Sequence, residues 1–307
     1  MVRSHGKIIG SQTYVLVHIC VSEPTRAILN FCTFPFLRDI TSPCVPDPSR
    51  YRIEALGWEK RAATGASHKR GAELATSHEN WYHFKAPELL KHNPFGMVPT
   101  LVSEATYKED PSLGPMKPPV RESLAAIEFV DELVSGGERP IMPTCPYERA
   151  LARVAAEVVN KQICSKYYHV LIRQKHEEQQ EGFDSLCKGL DRFGEEVGDG
   201  PFWGGRDTPG LVDFALFPWA HRLPVFEHYR GKEFAIPSNT DGLRKYQTWL
   251  GNMHGDEKIN KTCPPWDEYL AHIGRYADGS ARSKVANAVR DGRDAHQYDH
   301  EKDDTSH

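Results

Sequence analysis

Several signatures that mark common protein classes are missing from this chain of 307 residues. Its seven cysteines are scattered and form no Cys-x-x-Cys pair, which argues against a disulfide framework, a dithiol redox centre and a zinc site. There is no glycine-rich phosphate loop, no His-Glu-x-x-His helix and no nucleophile elbow. Because the fifteen histidines are dispersed without ligand spacing, we expect no metal site.

The charge balance and the lack of long hydrophobic runs exclude further classes. A net charge of −4 without a basic stripe predicts neither nucleic acid nor an anionic membrane as partner. The apolar run Tyr14–Val21 is too short to span a bilayer and has no convincing cleavage site after it. Hydrophobic residues at 39% and charged residues at 26% are typical of a globular protein, and the cysteine usage favours the reducing cytoplasm.

The most informative stretch is residues 93–102, where a Pro-Phe-Gly turn precedes a β-prone run with a second proline in it. Proline is tolerated at the start of a strand, so Pro99 is expected to open one, with Val98 forced into an extended conformation before it. The backbone of Val98 is then free to pair with a ligand. Twenty residues further on, Glu122-Ser123 begins an amphipathic helix whose first N–H groups form an anion site.

Together, Val98-Pro99 and Glu122-Ser123 resemble the glutathione-binding core of the glutathione transferases. The resemblance implies a cis bond before Pro99, with the backbone of glutathione held at Val98 and its γ-glutamyl end at Glu122 and Ser123. It also implies that a basic residue, here Lys91 or the neighbouring His92, reaches the glycyl carboxylate. The alternative is an ordinary strand start, a solvated helix end and a capped helix in an unrelated α/β domain.

The reactive group is expected where a proline-rich loop meets a helix running from Asp47-Pro48 to about Lys60, because a helix N-terminus stabilises a thiolate. The run Pro46-Asp47-Pro48 resembles a signature of fungal glutathione transferases related to omega-type and β-etherase enzymes. In that branch the preceding serine activates the thiol, but this chain has Val45 there. The remaining catalytic candidates are Cys44, Ser42 and Ser49. Free cysteines are often partly buried apolar residues, which is the alternative for Cys44.

The fold predicted by this resemblance is a thioredoxin-like α/β domain followed by an all-α domain, the glutathione transferase fold. Strands are expected at residues 34–40 and 81–84, besides the one opened by Pro99. The expected divisions are an N-terminal extension at 1–33, the glutathione-binding domain at 34–137, the helical domain at 145–277 and a disordered polar tail at 278–307.

Within the helical domain, Gly210 and Asp213 match the family's capping box, in which the aspartate reaches back to the N–H at the cap position. We predict a structural role for Asp213. Most aromatic residues of this domain are expected in its core, while the substrate-pocket candidates are Tyr167, Trp219 and Arg222.

The resemblance implies that glutathione is a co-substrate in the conjugation, cleavage or reduction of a small hydrophobic electrophile, without a metal. Fungal relatives often serve specialised-metabolite or mycotoxin biosynthesis, and homodimers are usual. Two alternatives remain: a non-catalytic binding protein of the same fold, favoured by Val45 at the hydroxyl position, and a thiol transferase that depends on Cys44.

Overall fold

The computed structural model describes residues 18–19, 54–55, 87–95, 99–102, 118–133, 140–295 and 297. Within these ranges the N-terminal part contains short strands and two helices, and the part from residue 146 onwards is helical.

The strands form one mixed sheet. Its members, in chain order and in order across the sheet, are β1 (His18–Ile19), β2 (Glu54–Ala55), β3 (Thr100–Val102) and β4 (Val120–Arg121). The first two run parallel, whereas β3 is antiparallel to both β2 and β4. Helix α1 (Pro87–His92) precedes β3, and helix α2 (Ser123–Leu133) follows β4 directly. The strand opened by Pro99 and both of these helices agree with the sequence prediction.

Two expectations for the N-terminal part are wrong. Strand β1 lies in the segment predicted as an extension outside the domain, yet it pairs with β2. Strand β2 itself lies where a helix was predicted, because pairing with β1 on one side and β3 on the other overrides the weak local helix propensity. The strands predicted at residues 34–40 and 81–84 fall outside the described residues.

The helical part is a series of packed helices, of which the one with 22 residues at His176–Val197 is the longest among the described residues. Its helices are α3 (Pro146–Val159), α4 (Ser165–Ile172), α5 (His176–Val197), α6 (Leu211–Ala220), α7 (Pro224–Arg230), α8 (Asp241–Gly255), α9 (Glu257–Asn260), α10 (Trp266–Ala277) and α11 (Lys284–Arg290). A π-helical turn at Asn160–Cys164 joins α3 to α4 without a break. None of the helices among the described residues is long and apolar enough to cross a membrane.

Carboxylates of α2 connect the two parts of the chain. Asp131, near the end of α2, accepts hydrogen bonds from the backbone N–H groups of Ile141 (2.8 Å) and Met142 (2.9 Å) in the connecting segment. On the same helix Glu128 pairs with Arg153 of α3 at 2.5 Å. Helix α2 is therefore held against the helical part through both its side chains and the connecting backbone.

Helices α5 and α8 approach so closely that no side chain fits at their crossing point. A Cβ atom placed on Gly194 would lie 1.8 Å from the carbonyl oxygen of Gly242, and one on Gly242 would lie 2.1 Å from the carbonyl oxygen of Asp191. Only glycine at these two positions permits this approach. It brings Phe193 against the indole of Trp249, with ring centroids 4.8 Å apart.

Asp213, in the first turn of α6, lies at the centre of the helical part and has no exposed surface. Its Oδ2 accepts from the Gly210 N–H (2.7 Å), and its Oδ1 accepts from the Trp203 N–H (3.0 Å) and from Nε1–H of Trp249 (2.7 Å). Burial raises the pKa of the Asp213 carboxyl, while the three donors oppose that shift by stabilising its charged form.

The prediction of a disordered tail from residue 278 is wrong for residues 278–295. Helix α11 lies in this segment. The buried residues of the helix and of the chain on either side of it form a cluster with Ile172 of α4; they are Ala281, Ala286, Val289 and Ala295. The Arg290 guanidinium donates to the carbonyl oxygen of Ala281 at 2.6 Å, so this carbonyl group in the segment before the helix has a hydrogen-bond partner. Small alanine side chains produced too little hydrophobic periodicity among the many charged residues to reveal this helix in the sequence.

We expect Asp213→Ala to lower the free energy of unfolding by about 3 kcal/mol or more, because three buried N–H donors would lose their acceptor. Urea denaturation followed by circular dichroism measures this loss. The matched control is Asp199→Ala at an exposed turn position, which should stay within about 0.5 kcal/mol of the wild type. Equal stability of the two variants would contradict the central role of Asp213.

Candidate functional site

The pairing of β3 with β4 brings the two halves of the predicted glutathione site together. Thr100 pairs with Arg121 and Leu101 with Val120, in antiparallel register. Pro99 comes directly before Thr100 and Glu122 directly after Arg121, so the two segments predicted to hold glutathione lie at the same end of this strand pair. Paired residues of antiparallel strands have Cα atoms about 4.5–5.5 Å apart, so the chain segments that adjoin Thr100 and Arg121 start close together. Pro99 is buried, while Val98 lies outside the described residues.

Glu122 has an unusual backbone conformation. Among the described residues it is the one non-glycine residue with a positive φ, at 73°. Such a conformation costs a residue with a side chain on the order of 1–3 kcal/mol, and residues that keep it often lie at binding sites. Here it turns the chain sharply from β4 into α2, and the Glu122 carbonyl oxygen accepts the first helical bond from the Ala126 N–H at 2.9 Å.

Ser123 is the first residue of α2, and its side chain is half-buried. The first N–H groups of a helix have no partner within the helix, so they point out of its N-terminal end. Together with the Ser123 hydroxyl they offer hydrogen-bond donors to a carboxylate. The exposed Glu122 carboxylate beside them suits an amine. This arrangement can bind a group that carries both charges, such as the γ-glutamyl end of glutathione.

A buried hydrogen bond holds the segment before β3. Asn93 Nδ2 donates to Thr100 Oγ1 at 3.0 Å, and neither residue has more than 1% of its surface exposed. The bond ties the end of α1 to the start of β3, so the turn between them has fixed ends. Lys91 lies in the last turn of α1, with its side chain exposed next to this turn.

The predicted catalytic candidates Cys44, Ser42 and Ser49 lie outside the described residues. The predicted glutathione-binding residues that the structure does describe are Pro99, Glu122, Ser123 and Lys91.

The substrate-pocket candidates form a cluster in the helical part. Trp219 lies at the end of α6, and the Arg222 guanidinium lies over its ring at 5.1 Å and over the ring of Tyr269 at 5.6 Å. Trp219 and Arg222 are half-buried, so both present surface beside the core. Tyr167, by contrast, is completely buried. Its ring contacts Trp219 edge-on with centroids 5.4 Å apart, and it supports the cluster from inside instead of lining a pocket.

Sequence reasoning missed Tyr269 of α10. Its hydroxyl is hydrogen-bonded to that of Tyr167, in a buried pair of residues 102 positions apart in the chain. Burial raises the pKa of Tyr269 to about 12 despite the nearby Arg222 charge, and burial also raises the pKa of Tyr167. Both phenols are therefore neutral at physiological pH. The available signal was the aromatic spacing within Trp266–Ala277, which predicts a buried face but does not identify its partner.

Comparison with known sequences shows similarity to one family. A family model described as "Glutathione S-transferase, C-terminal domain" matches residues 177–272. Glutathione S-transferase U19 of Arabidopsis thaliana is 30% identical over 199 residues, covering 65% of this chain and 82% of that protein. A probable glutathione S-transferase of Glycine max is 27% identical over 213 residues, covering 69% of this chain and 87% of that protein.

Solved structures of the same family share the fold. Glutathione transferase Omega 3C from Trametes versicolor aligns with a TM-score of 0.52 at 24% identity, covering 65% of this chain and 77% of its own. A rice glutathione transferase solved in complex with glutathione aligns with a TM-score of 0.52 at 22% identity, covering 64% and 84%. The chain thus has the predicted architecture of an N-terminal thioredoxin-like domain and an all-α domain.

The strain at Glu122 predicts that Glu122→Gly is more stable than Glu122→Ala by about 1 kcal/mol, because glycine adopts a positive φ without steric cost. Both variants remove the carboxylate, so their difference isolates the backbone. At Lys188, an exposed position inside α5, the order should reverse, with glycine about 1 kcal/mol less stable than alanine. Urea denaturation of the four variants checks both signs, and an alanine preference at residue 122 would contradict the strained backbone.

Proposed function

This chain belongs to the glutathione S-transferase family, and we propose that it binds glutathione and directs the thiol of glutathione onto a hydrophobic, electrophilic small molecule. The observation that supports the proposal is the pairing of Thr100 with Arg121, because Pro99 and Glu122 adjoin this pair at the N-terminal end of α2. It unites the two segments that the family resemblance assigns to glutathione. The reaction is conjugation, cleavage or reduction, all of which begin with attack by the sulfur of glutathione.

Binding of glutathione is the first requirement. Ser123 would hold the γ-glutamyl carboxylate through its hydroxyl and N–H, while the exposed Glu122 carboxylate would pair with the amine. The backbone of Val98 would pair with the peptide part of glutathione, and Lys91 or His92 would pair with the glycyl carboxylate. The chain thereby fixes the nucleophile before the second substrate arrives, which converts a bimolecular encounter into a reaction at a prepared site.

Activation of the thiol is assigned to the loop that contains Ser42, Cys44 and Ser49. A thiol attacks as its thiolate, so a hydroxyl or N–H donor near the sulfur speeds attack by lowering the pKa of the thiol. We propose a serine hydroxyl or a backbone N–H for this role, since Val45 replaces the serine of the fungal signature. Cys44 would instead support a thiol transferase that forms a mixed disulfide with glutathione.

The cluster of Trp219, Arg222 and Tyr269 supports the choice of acceptor. Aromatic surface favours a flat or hydrophobic molecule, and the Arg222 charge favours one that carries or develops negative charge. Such an acceptor fits a specialised metabolite or mycotoxin intermediate, which is our proposal for the biological substrate. The proposal of a fungal omega-like or β-etherase-like branch rests on Pro46-Asp47-Pro48, since the two sequence relatives described above are plant proteins.

An exposed apolar face on α3 supports a homodimer. Tyr147, Leu151 and Val154 recur at helical spacing, and 70%, 46% and 62% of their respective surfaces are exposed. The neighbouring Arg149 and Arg153 point the other way and pair with α2. We propose a second copy of this chain as the partner that covers the apolar face.

A cytoplasmic location is our proposal for where the protein works. Its support is the state of the described cysteines, since Cys145, Cys164, Cys187 and Cys263 are all free thiols. Free thiols persist in a reducing compartment, which also keeps glutathione in its thiol form.

Replacement of Ser123 by alanine should raise the Kd for glutathione about tenfold, the expected cost of losing one hydrogen bond to a charged group. Isothermal titration calorimetry measures the Kd directly. The control is Ser238→Ala at an exposed loop position, which should leave the Kd unchanged. An unchanged Kd for Ser123→Ala removes this hydroxyl from the site. Failure of the wild type to bind millimolar glutathione would overturn the proposed function and favour a non-catalytic protein of this fold.

The identity of the activating group can be tested with two reactions. We expect Cys44→Ser to keep glutathione conjugation to an activated aryl halide, because that step needs no protein thiol. The same variant should lose thiol transfer from a mixed disulfide, because serine cannot form the intermediate. Ser42→Ala and Ser49→Ala identify a catalytic hydroxyl by a loss of about 100-fold in conjugation rate. Loss of conjugation in Cys44→Ser would show that the cysteine itself is the catalytic group.

A further inference from the structure

Three side chains with metal-binding atoms converge in the helical part, on residues that the proposed reaction does not use. His221 follows the last residue of α6, His254 lies in the last turn of α8, and Cys263 lies in the loop between α9 and α10. One ligand atom from each of them lies within 4.8 Å of both others. The Nδ1 atom of His221 and the Nε2 atom of His254 are 3.5 Å apart.

These separations suit a tetrahedral zinc site. Zinc binds histidine nitrogen at about 2.0–2.1 Å and cysteine sulfur at about 2.3 Å, so tetrahedral ligand atoms lie about 3.3–3.6 Å from one another. The two imidazole nitrogens are already at this spacing. The widest separation, at most 4.8 Å, needs about 1.5 Å of closure or less to reach it.

The helix termini at this position also favour a cation. Both histidines lie at the C-terminal ends of helices, where the helix dipole attracts positive charge.

Cys263 completes a ligand set that combines nitrogen with sulfur. A cysteine binds a metal as its thiolate, so the thiol of Cys263 releases its proton on binding. The backbone holds the cysteine in place, since its N–H donates to the carbonyl oxygen of Asn260 at 3.1 Å. The rings of Phe217 and Trp266 lie beside the two imidazoles, with centroids 5.2 Å from His254 and 6.3 Å from His221.

We propose that His221, His254 and Cys263 bind one zinc ion or a similar borderline-soft divalent metal, with water in the fourth position. Binding forms two metal–nitrogen bonds and one metal–sulfur bond, and the thiol proton passes to solvent without any change of oxidation state. The ion links the ends of α6 and α8 to the loop before α10. The dispersed histidines gave no hint of this site, because its ligands lie 33 and 9 residues apart on separate elements.

The test uses the full-length protein, stripped with a chelator and kept free of glutathione, which itself binds metals. Titration with Co²⁺ should give a one-to-one complex with a tetrahedral visible spectrum and a near-ultraviolet sulfur-to-cobalt band. Zinc at about 100 times its Kd should raise the melting temperature by about 5 °C. The Cys263→Ser variant should lose the sulfur-to-cobalt band. It should also bind zinc at least about 100-fold more weakly, because mutating a residue that merely hydrogen-bonds to a ligand already costs 10–100-fold in metal affinity, and the loss of a ligand itself should cost more.

Matched variants separate this site from adventitious binding at other thiols or imidazoles. Cys145→Ser and His228→Asn change exposed residues outside the cluster and should bind like the wild type. Cys263→His keeps a ligand at the position, so it should retain zinc binding while losing the sulfur-to-cobalt band, which keeps the test decisive if the serine variant fails to fold. Absence of one-to-one binding in the wild type, or a persistent sulfur-to-cobalt band in Cys263→His, overturns the proposal. Neither result depends on whether glutathione binds.

Discussion

The buried carboxylate of Asp213 is the interaction on which the helical part depends. A charge without exposed surface is tolerated only when hydrogen-bond donors surround it, and here the donors come from Gly210, Trp203 and Trp249. These residues belong to the turn before α6, the loop after α5 and the middle of α8. One side chain therefore fixes where three segments meet. The close contact at Gly194 and Gly242 then determines how closely α5 and α8 pack beside this carboxylate.

Helix α2 connects the helical part to the candidate glutathione site. Its first residue, Ser123, belongs to that site, and Asp131 in its last turn accepts the two N–H bonds of the connecting segment. Eleven residues of α-helix span about 16 Å, and a packed helix behaves as a rigid rod over that length. The strained turn at Glu122 is stable because β4 holds one side of it and this anchored helix holds the other.

Features encoded by residues close in sequence were accessible to sequence reasoning. Pro99 opens its strand and Ser123 its helix because local backbone chemistry dictates both, and Asp213 lies only three residues from its capping partner. Long-range pairings were not accessible. The hydroxyl groups of Tyr167 and Tyr269 are hydrogen-bonded although the residues are 102 positions apart, and no pattern in either segment predicts this contact. Strand β2 shows the converse error, since sheet pairing overrode a local helical pattern.

Helix α6 and the two residues after it connect the buried Asp213 carboxylate, the cluster around Arg222 and the proposed metal site. It begins with the Asp213 box and ends with Trp219, and His221 and Arg222 follow it. Because consecutive residues cannot rotate independently within a helical turn, a metal held by His221 would also restrict the backbone that directs Arg222 over Trp219 and Tyr269. The proposed metal site would then support the cluster of Trp219, Arg222 and Tyr269 without taking part in the proposed reaction.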